Sequence, residues 1–392
     1  ALGKLGDDVY HHTVNANGLV RDFYETLKIG TKSVTRRIFL TGISPVMMND
    51  LTSGFNIATN LTLELDYNEM MGFSHDEVER LIDTAGIDRQ LFIGKIDLER
   101  YYNGYLFNKR SETRVYNPTM ALYCLNQIQR TQQPPEEISD TNRRTDYSRL
   151  RRLAENDHNR KTLVEIMKNS VITAEIASSF SIDEMYRDRY FISLLFYMGL
   201  ITIDRINRGA TILRIPNYSI RTIYWEYLEQ LTHDLNADIM IDASEESAAI
   251  RELAYDGNPV PYIDYESKHI FQRLSNRDLI GFDEKYIKLM LLSGLFRSHL
   301  YVPDSERETG QGYIDIFLQR SPLLPELPYE WVWELKYLKK GDATPALVEA
   351  TLEAARAQLE RYRQSALFAG RSDVKFAALL FTGKDQYQVV PL

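Results

Sequence analysis

Glu306-Arg307-Glu308-Thr309-Gly310-Gln311-Gly312-Tyr313-Ile314-Asp315-Ile316-Phe317-Leu318, a proline-rich turn, and then Trp331-Val332-Trp333-Glu334-Leu335-Lys336-Tyr337 form the stretch on which the reading of this chain turns. Both ends are rich in β-branched and aromatic residues and are bounded by Pro and Gly, which predicts two strands. The period-2 alternation of the second strand places Glu334 and Lys336 on one face and Trp333, Leu335 and Tyr337 on the other. Paired as a hairpin, the two strands bring Asp315 and Glu334 together beside an ammonium group. Two carboxylates at one point suit a hard divalent cation such as Mg²⁺, and a cation held in that way activates water and stabilises charge on a phosphate. Lys336 then orients the water and offsets charge at the transition state. The chemistry this pattern predicts is hydrolysis of a phosphodiester.

Asp315, followed after the turn by Glu334-Leu335-Lys336, resembles the D…(D/E)xK signature of the PD-(D/E)XK nuclease superfamily. Three neighbours add to it: Gly312-Tyr313-Ile314-Asp315-Ile316, Glu334-Leu335-Lys336-Tyr337, and Gln358-Leu359-x-x-Tyr362 on a following helix. Together they are similar to the nuclease-like domain found at the C-terminus of bacterial proteins whose N-terminal half is an AAA-ATPase-like domain. Asp283-Glu284-Lys285-Tyr286-Ile287-Lys288 matches a pattern of that family in which the Glu precedes the core strands. The resemblance implies a site in which Asp315 and Glu334 hold Mg²⁺ or Mn²⁺ with help from a backbone carbonyl. In it Lys336 positions the water, and Glu284 and Gln358 shape the pocket. Plainer readings stand beside these roles. Asp315 can be a strand acid paired with a lysine, and Glu284 a helix-start acid favoured by the helix dipole. Glu306 can be a loop acid, Gln358 a structural side chain and Tyr362 a packing residue.

Towards the N-terminus, Leu19, Val20, Phe23, Tyr24 and Leu27 recur at helical spacing, and Arg37 to Pro45 reads as a buried strand ending in a polar turn. That order suggests an α/β unit. Thr41-Gly42-Ile43-Ser44 and Leu51-Thr52-Ser53-Gly54-Phe55-Asn56 resemble the later part of the same family's ATPase-like domain, which gives Thr41 the place of a γ-phosphate sensor at a strand end. No G-x-x-x-x-G-K-[ST] occurs, and Gly30-Thr31-Lys32-Ser33 lacks both the upstream glycine and the adjacent Gly-Lys pair that cradle phosphates. The expectation is a chain that begins inside the ATPase domain and does not itself bind ATP.

Ser74 and Glu77 have the spacing of a capping box before an amphipathic helix. Tyr101-Tyr102-Asn103-Gly104-Tyr105-Leu106-Phe107 and Val115-Tyr116-Asn117-Pro118 match further family motifs, and they also read as tight turns packed with tyrosines. A polar, proline-containing segment from Gln129 to Asp146 is the best linker. Beyond it, helices and a hairpin around Gly209 suggest a winged-helix-like module. The helix before that hairpin carries Phe191, Leu194, Leu195, Phe196 and Tyr197, which favours packing over groove reading. The stretch Asp242 to Ala249 separates this module from the last domain. Val374 to Phe381 reads as a buried strand and Tyr387 to Val390 as an edge strand.

The expected fold is therefore multidomain, α/β and α+β. A partial P-loop-type α/β domain occupies residues 1–130, a helical winged-helix-like module 147–240, and a PD-(D/E)XK nuclease-like mixed α/β domain 250–392. A length of 392 residues and 44% hydrophobic content suit that division. The formal charge of −9 supplies no global attraction for nucleic acid. Cys124 stands alone in an apolar run, which excludes a disulfide framework and a multi-cysteine zinc site. No apolar run approaches the ~20 residues of a membrane span, and a cytoplasmic protein without a membrane partner is expected. Nucleic acid is the expected partner, with room for protein partners. The reading from another class is a non-catalytic module that uses a nuclease-like fold to bind nucleic acid or protein.

Overall fold

The computed structural model describes residues 18–42, 57–92, 96–135, 154, 156–180, 188–235, 242–274, 282–305 and 307–392. Two compact units share the chain: residues 1–87, 98–129 and 137–221 make the first, and residues 88–97, 130–136 and 222–392 the second.

In the first unit, helices α1 (Leu19–Gly30), α2 (His75–Thr84), α3 (Leu98–Tyr102) and α4 (Pro118–Thr131) precede α5 (Asp157–Asn169), β1 (Val171–Thr173), α6 (Asp188–Tyr197) and the hairpin β2 (Thr202–Asn207) and β3 (Ala210–Arg214). Ser74 caps α2 through the reciprocal capping box with Glu77 that the sequence spacing predicts. Gly104 has φ +110, and a Cβ there would lie 2.2 Å from the Pro216 carbonyl oxygen, so the Asn103-Gly104 turn accepts glycine alone. Cys124 is buried, as its apolar run predicts. The hairpin turns at Gly209 as expected, and β1 adds a third strand beside β3 that the sequence reading did not include.

The strand expected from Arg37 to Pro45 does not form in its described part. Residues 37–42 carry no ladder, and Phe39 is 62% exposed. A strand needs a neighbour to take its N–H and C=O groups, and no strand of the described residues pairs with this one. Thr41 is accordingly an exposed residue of irregular backbone rather than a sheet-end residue. Ile43 to Asn56, the helix expected at Tyr147 to Glu155 and Glu306 lie outside the described residues, apart from Ala154.

In the second unit, α7 (Tyr218–Leu235, most of it in this unit), α8 (Ala243–Arg251), α9 (Val260–His269) and α10 (Glu284–Arg297) lead into a sheet. Its strands are β4 (Tyr301–Asp304), β7 (Ile316–Arg320), β8 (Glu330–Leu338), β9 (Val374–Thr382) and β10 (Gln386–Pro391), with a small hairpin of β5 (Arg307–Glu308) and β6 (Tyr313–Ile314) alongside. The order is β10-β9-β8-β7-β4, so β8 is central, and it is antiparallel to β7 but parallel to β9. A parallel pair needs a crossover, which α11 (Pro345–Arg363) supplies. Ala355, Leu359 and Tyr362, spaced as one helix face, bury against Val332, Phe376 and Ala378 of the sheet. On the other side of β8, Trp333 stacks on Tyr262 of α9, and the Trp331 indole donates to the Leu253 carbonyl at 3.1 Å.

The stretch Asp242 to Ala249 is not a separator. Asp242 caps α8 by accepting from the Ser244 and Glu245 N–H groups, and Glu246 turns inward, where the Arg297 guanidinium donates to it. Small residues beside an acidic cap make a helix start, which composition alone conceals. Glu246, Glu266 and Tyr262 converge on Gly294 of α10. A Cβ there would stand 2.5 Å from the Tyr262 hydroxyl, 2.6 Å from Glu266 Oε1 and 2.9 Å from Glu246 Oε1. Burial, and next the charge of Glu246, push the Glu266 carboxyl up to about 8. The folded protein thus keeps a proton that the unfolded chain releases, so this contribution to stability is complete below the ordinary carboxylate value and is lost as pH rises through about 8. The urea midpoint of the wild-type chain is expected to fall between about pH 6 and about pH 9. Glu266→Gln flattens that fall, and an equal fall in both proteins would rule Glu266 out as its source.

Candidate active site

β8 is buried on both faces, and its run Glu330-Trp331-Val332-Trp333-Glu334-Leu335 would read as an ordinary core strand but for its carboxylates. Val332 packs towards α11, and by strand alternation Glu334 and Lys336 share that face. A carboxylate buried in a central strand is costly unless it is paired. The Lys336 ammonium donates to Glu334 Oε1 at 2.5 Å and to the Leu335 carbonyl at 3.0 Å. Glu334 Oε2 is buried and has no hydrogen-bond partner.

Asp315 does not sit within a strand, as the sequence reading had it, but at the break between β6 and β7. Ile314 and Phe317, three residues apart, both pack into the core beneath α11, which strict alternation forbids; the chain therefore bulges at Asp315. Ile316 pairs with Trp333, the last partnered residue towards the site on this edge of β8. The Leu335 N–H beyond it donates to Asp315 Oδ2 at 3.0 Å, so the carboxylate substitutes for the lost ladder bond. Lys336 Nζ lies 3.8 Å from the same oxygen.

The bulge is pinned from α11. The Tyr362 hydroxyl, on an otherwise buried ring, donates to the Tyr313 carbonyl at 2.5 Å, and the Gln358 amide donates to the Tyr362 oxygen at 2.5 Å. Tyr362 is thus more than the packing residue expected of it, and Gln358 reaches the site through it. Gly310 at φ +75 and Gly312 at φ +133 let the β5–β6 turn close in front of that hydroxyl.

Glu284 is the first residue of α10, behind the cap residue Asp283, which accepts from the Tyr286 N–H at 2.9 Å. It lies close enough to feel the charges of Lys336, Asp315 and Lys288, and burial raises its carboxyl above the ordinary range despite the two lysines. Glu334 is pushed up to about 7, by burial first and by the charge of Asp315 next, against the hydrogen bond from Lys336. Burial draws the Lys336 ammonium down, but its hydrogen bond to Glu334 and the surrounding carboxylates outweigh that and raise it. Glu284, Asp315, Glu334 and Lys336 therefore form one electrostatic cluster, with Gln358 attached through Tyr362. Thr41 belongs to the first unit. Lys288, which the family pattern includes without a site role, stands 3.8 Å from Asp315 Oδ1. Its helical spacing from Glu284, one turn on, was the signal that could have found it.

Among the described residues, no group of three or more His, Cys, Asp and Glu side chains is arranged to hold a metal ion. The donor set that suits Mg²⁺ is smaller: the ion keeps several waters and binds through one or two carboxylates. Asp315 with the unpartnered Glu334 Oε2 meets that requirement.

Residues 282–389 match the PD-(D/E)XK nuclease superfamily, so the sheet and both helices that frame this cluster make up a domain of that superfamily. No curated protein and no solved structure matches the chain. No helix of the described residues is long and apolar enough to cross a membrane. Replacing Tyr362 with Phe removes the hydroxyl that pins the bulge and leaves the Tyr313 carbonyl without its donor. The expected loss is about 1 kcal/mol of stability, read by urea unfolding; unchanged stability would show that the bulge holds itself.

Proposed function

We propose that the second unit is a Mg²⁺- or Mn²⁺-dependent nuclease that hydrolyses phosphodiester bonds in DNA, with Asp315 and Glu334 holding the cation. The observation that carries this reading is Glu334: a carboxylate on the central strand, buried, with one oxygen paired to Lys336 and the other lacking any hydrogen-bond partner. Such an arrangement is expensive as architecture and useful as a ligand. The superfamily match at residues 282–389 supports the reaction class, and DNA is the substrate that the resemblance implies.

When bound, the cation lowers the pKa of its water and offsets charge on the phosphate. The chain's own residues do the rest. Asp315 is held by the Leu335 N–H, so one oxygen is fixed and the carboxylate cannot swing away from the cluster. Lys336 lies 2.5 Å from Glu334 and 3.8 Å from Asp315, where its ammonium steers a water between the carboxylates and meets charge that develops at the phosphate. Glu284, with its raised carboxyl, is placed to accept a proton from that water, and Gln358 with Tyr362 keeps the wall of the pocket in register. In a longer protein this cutting is coupled to an ATPase-like domain, a part of the proposal supported by the motifs at residues 39–56 and 101–118.

Asp315→Ala is expected to abolish both Mn²⁺ binding in calorimetry and cleavage of duplex DNA while leaving the circular dichroism spectrum intact; retained cleavage would place the metal elsewhere. Glu334→Gln, which keeps shape but removes charge, costs at least about tenfold in metal affinity. Because Glu334 must be ionised to serve as a ligand and its carboxyl sits near 7, cleavage at limiting metal rises with pH through about 7 and then levels off. A rate that falls across that interval would contradict the assignment. Wild-type protein that binds DNA without any metal dependence would instead be the interaction module.

A further inference from the structure

Lys288 is a second ammonium group directed at the same carboxylate as Lys336. It follows Glu284 by one turn of α10, so both side chains leave the helix on one face. Its side chain is only 11% exposed, and its Nζ lies 3.8 Å from Asp315 Oδ1, while Lys336 Nζ lies 3.8 Å from Oδ2 of the same group. Asp315 is therefore flanked by one cation on each oxygen. The Oδ2 side is saturated at hydrogen-bond distance by the Leu335 N–H at 3.0 Å. The contact to Lys288 is longer than a hydrogen bond, which leaves Oδ1 able to take a ligand.

A lysine so close to a metal-holding carboxylate weakens cation binding by like-charge repulsion. The charge balance gives it a purpose. Ionised together, as cation binding requires of the ligands, Glu284, Asp315 and Glu334 carry three negative charges, and a phosphodiester adds one. A divalent cation and Lys336 cancel all but one of these, and Lys288 cancels the last. We infer that Lys288 is a substrate-contacting residue, whose ammonium binds a non-bridging oxygen of the scissile phosphate when Asp315 engages the cation. The inference rests on the nuclease reading above and adds to it a specific anchor for the anionic substrate.

The test compares wild type, Lys288→Met and Lys288→Arg in Mn²⁺-dependent cleavage of a short DNA duplex over a range of salt concentrations, with Mn²⁺ calorimetry on the same proteins without DNA. Loss of one charge-assisted contact predicts KM raised about tenfold in Lys288→Met and a log KM against log salt slope reduced by about one. Mn²⁺ affinity stays the same or tightens, and Lys288→Arg recovers most of the loss in KM. A lysine that only supported the fold would weaken metal binding and KM together without changing the salt slope, and that outcome overturns the inference. So does wild-type cleavage with an unchanged KM and salt slope in Lys288→Met, which leaves the nuclease reading intact. Absence of wild-type cleavage overturns both. Should Lys288→Met fail to fold by circular dichroism, Lys288→Gln, of similar length with a polar head, carries the same expectations.

Discussion

A carboxylate held dry on the central strand of a five-stranded sheet is the constraint from which the rest of the second unit follows. Glu334 is buried between β7 and β9, where an apolar residue would cost nothing to desolvate. The charge that offsets this cost is Lys336, beside it on the same strand. Asp315 raises the cost further, because two carboxylates in one small space repel.

The surrounding architecture serves this cluster. The break between β6 and β7 turns Asp315 out of the ladder, and the Leu335 N–H donates to its carboxylate in place of a backbone carbonyl. Tyr362, reaching from the crossover helix, ties the bulge to α11 and carries Gln358 with it. On the opposite face, Trp333 stacks on Tyr262 of α9 and the Trp331 indole donates to the Leu253 carbonyl, which fixes the strand from behind. α10 then delivers Glu284 and Lys288 from its first two turns to the open side of Asp315. Precision at the site comes from groups placed on strands, on helices and at the bulge between β6 and β7 rather than on loops.

Much of this was legible in the chain because the signals are local. Alternation alone set Glu334 and Lys336 on one face, and the aromatic run around them announced a buried strand, so a charge there was conspicuous. What was not legible depends on tertiary pairing. The bulge that takes Asp315 out of its strand needs the register of β7 against β8, and the hydroxyl role of Tyr362 needs the position of the Tyr313 carbonyl. The spacing of Lys288 from Glu284 places both on one helix face, but its approach to Asp315 needs the tertiary packing. In the first unit the strand expected from Arg37 to Pro45 rests on residues that favour one, but propensity does not supply a ladder partner to its described part. Asp242 to Ala249 misled for the opposite reason, since a helix cap and a linker share a composition.

The most direct measurement is the number of protons released when Mn²⁺ binds, obtained by calorimetry in two buffers of different ionisation enthalpy. A cation bound by Glu334 must displace the proton that burial holds there with a value near 7. Wild-type protein at about pH 6.5 should release a large fraction of one proton per ion, and release should fall towards zero by about pH 9. The same titration of Glu334→Gln should show weak binding with little release. Tight Mn²⁺ binding with no proton release at either pH, or with the same release in the variant, would contradict the assignment of Glu334 as the ligand at the centre of this site.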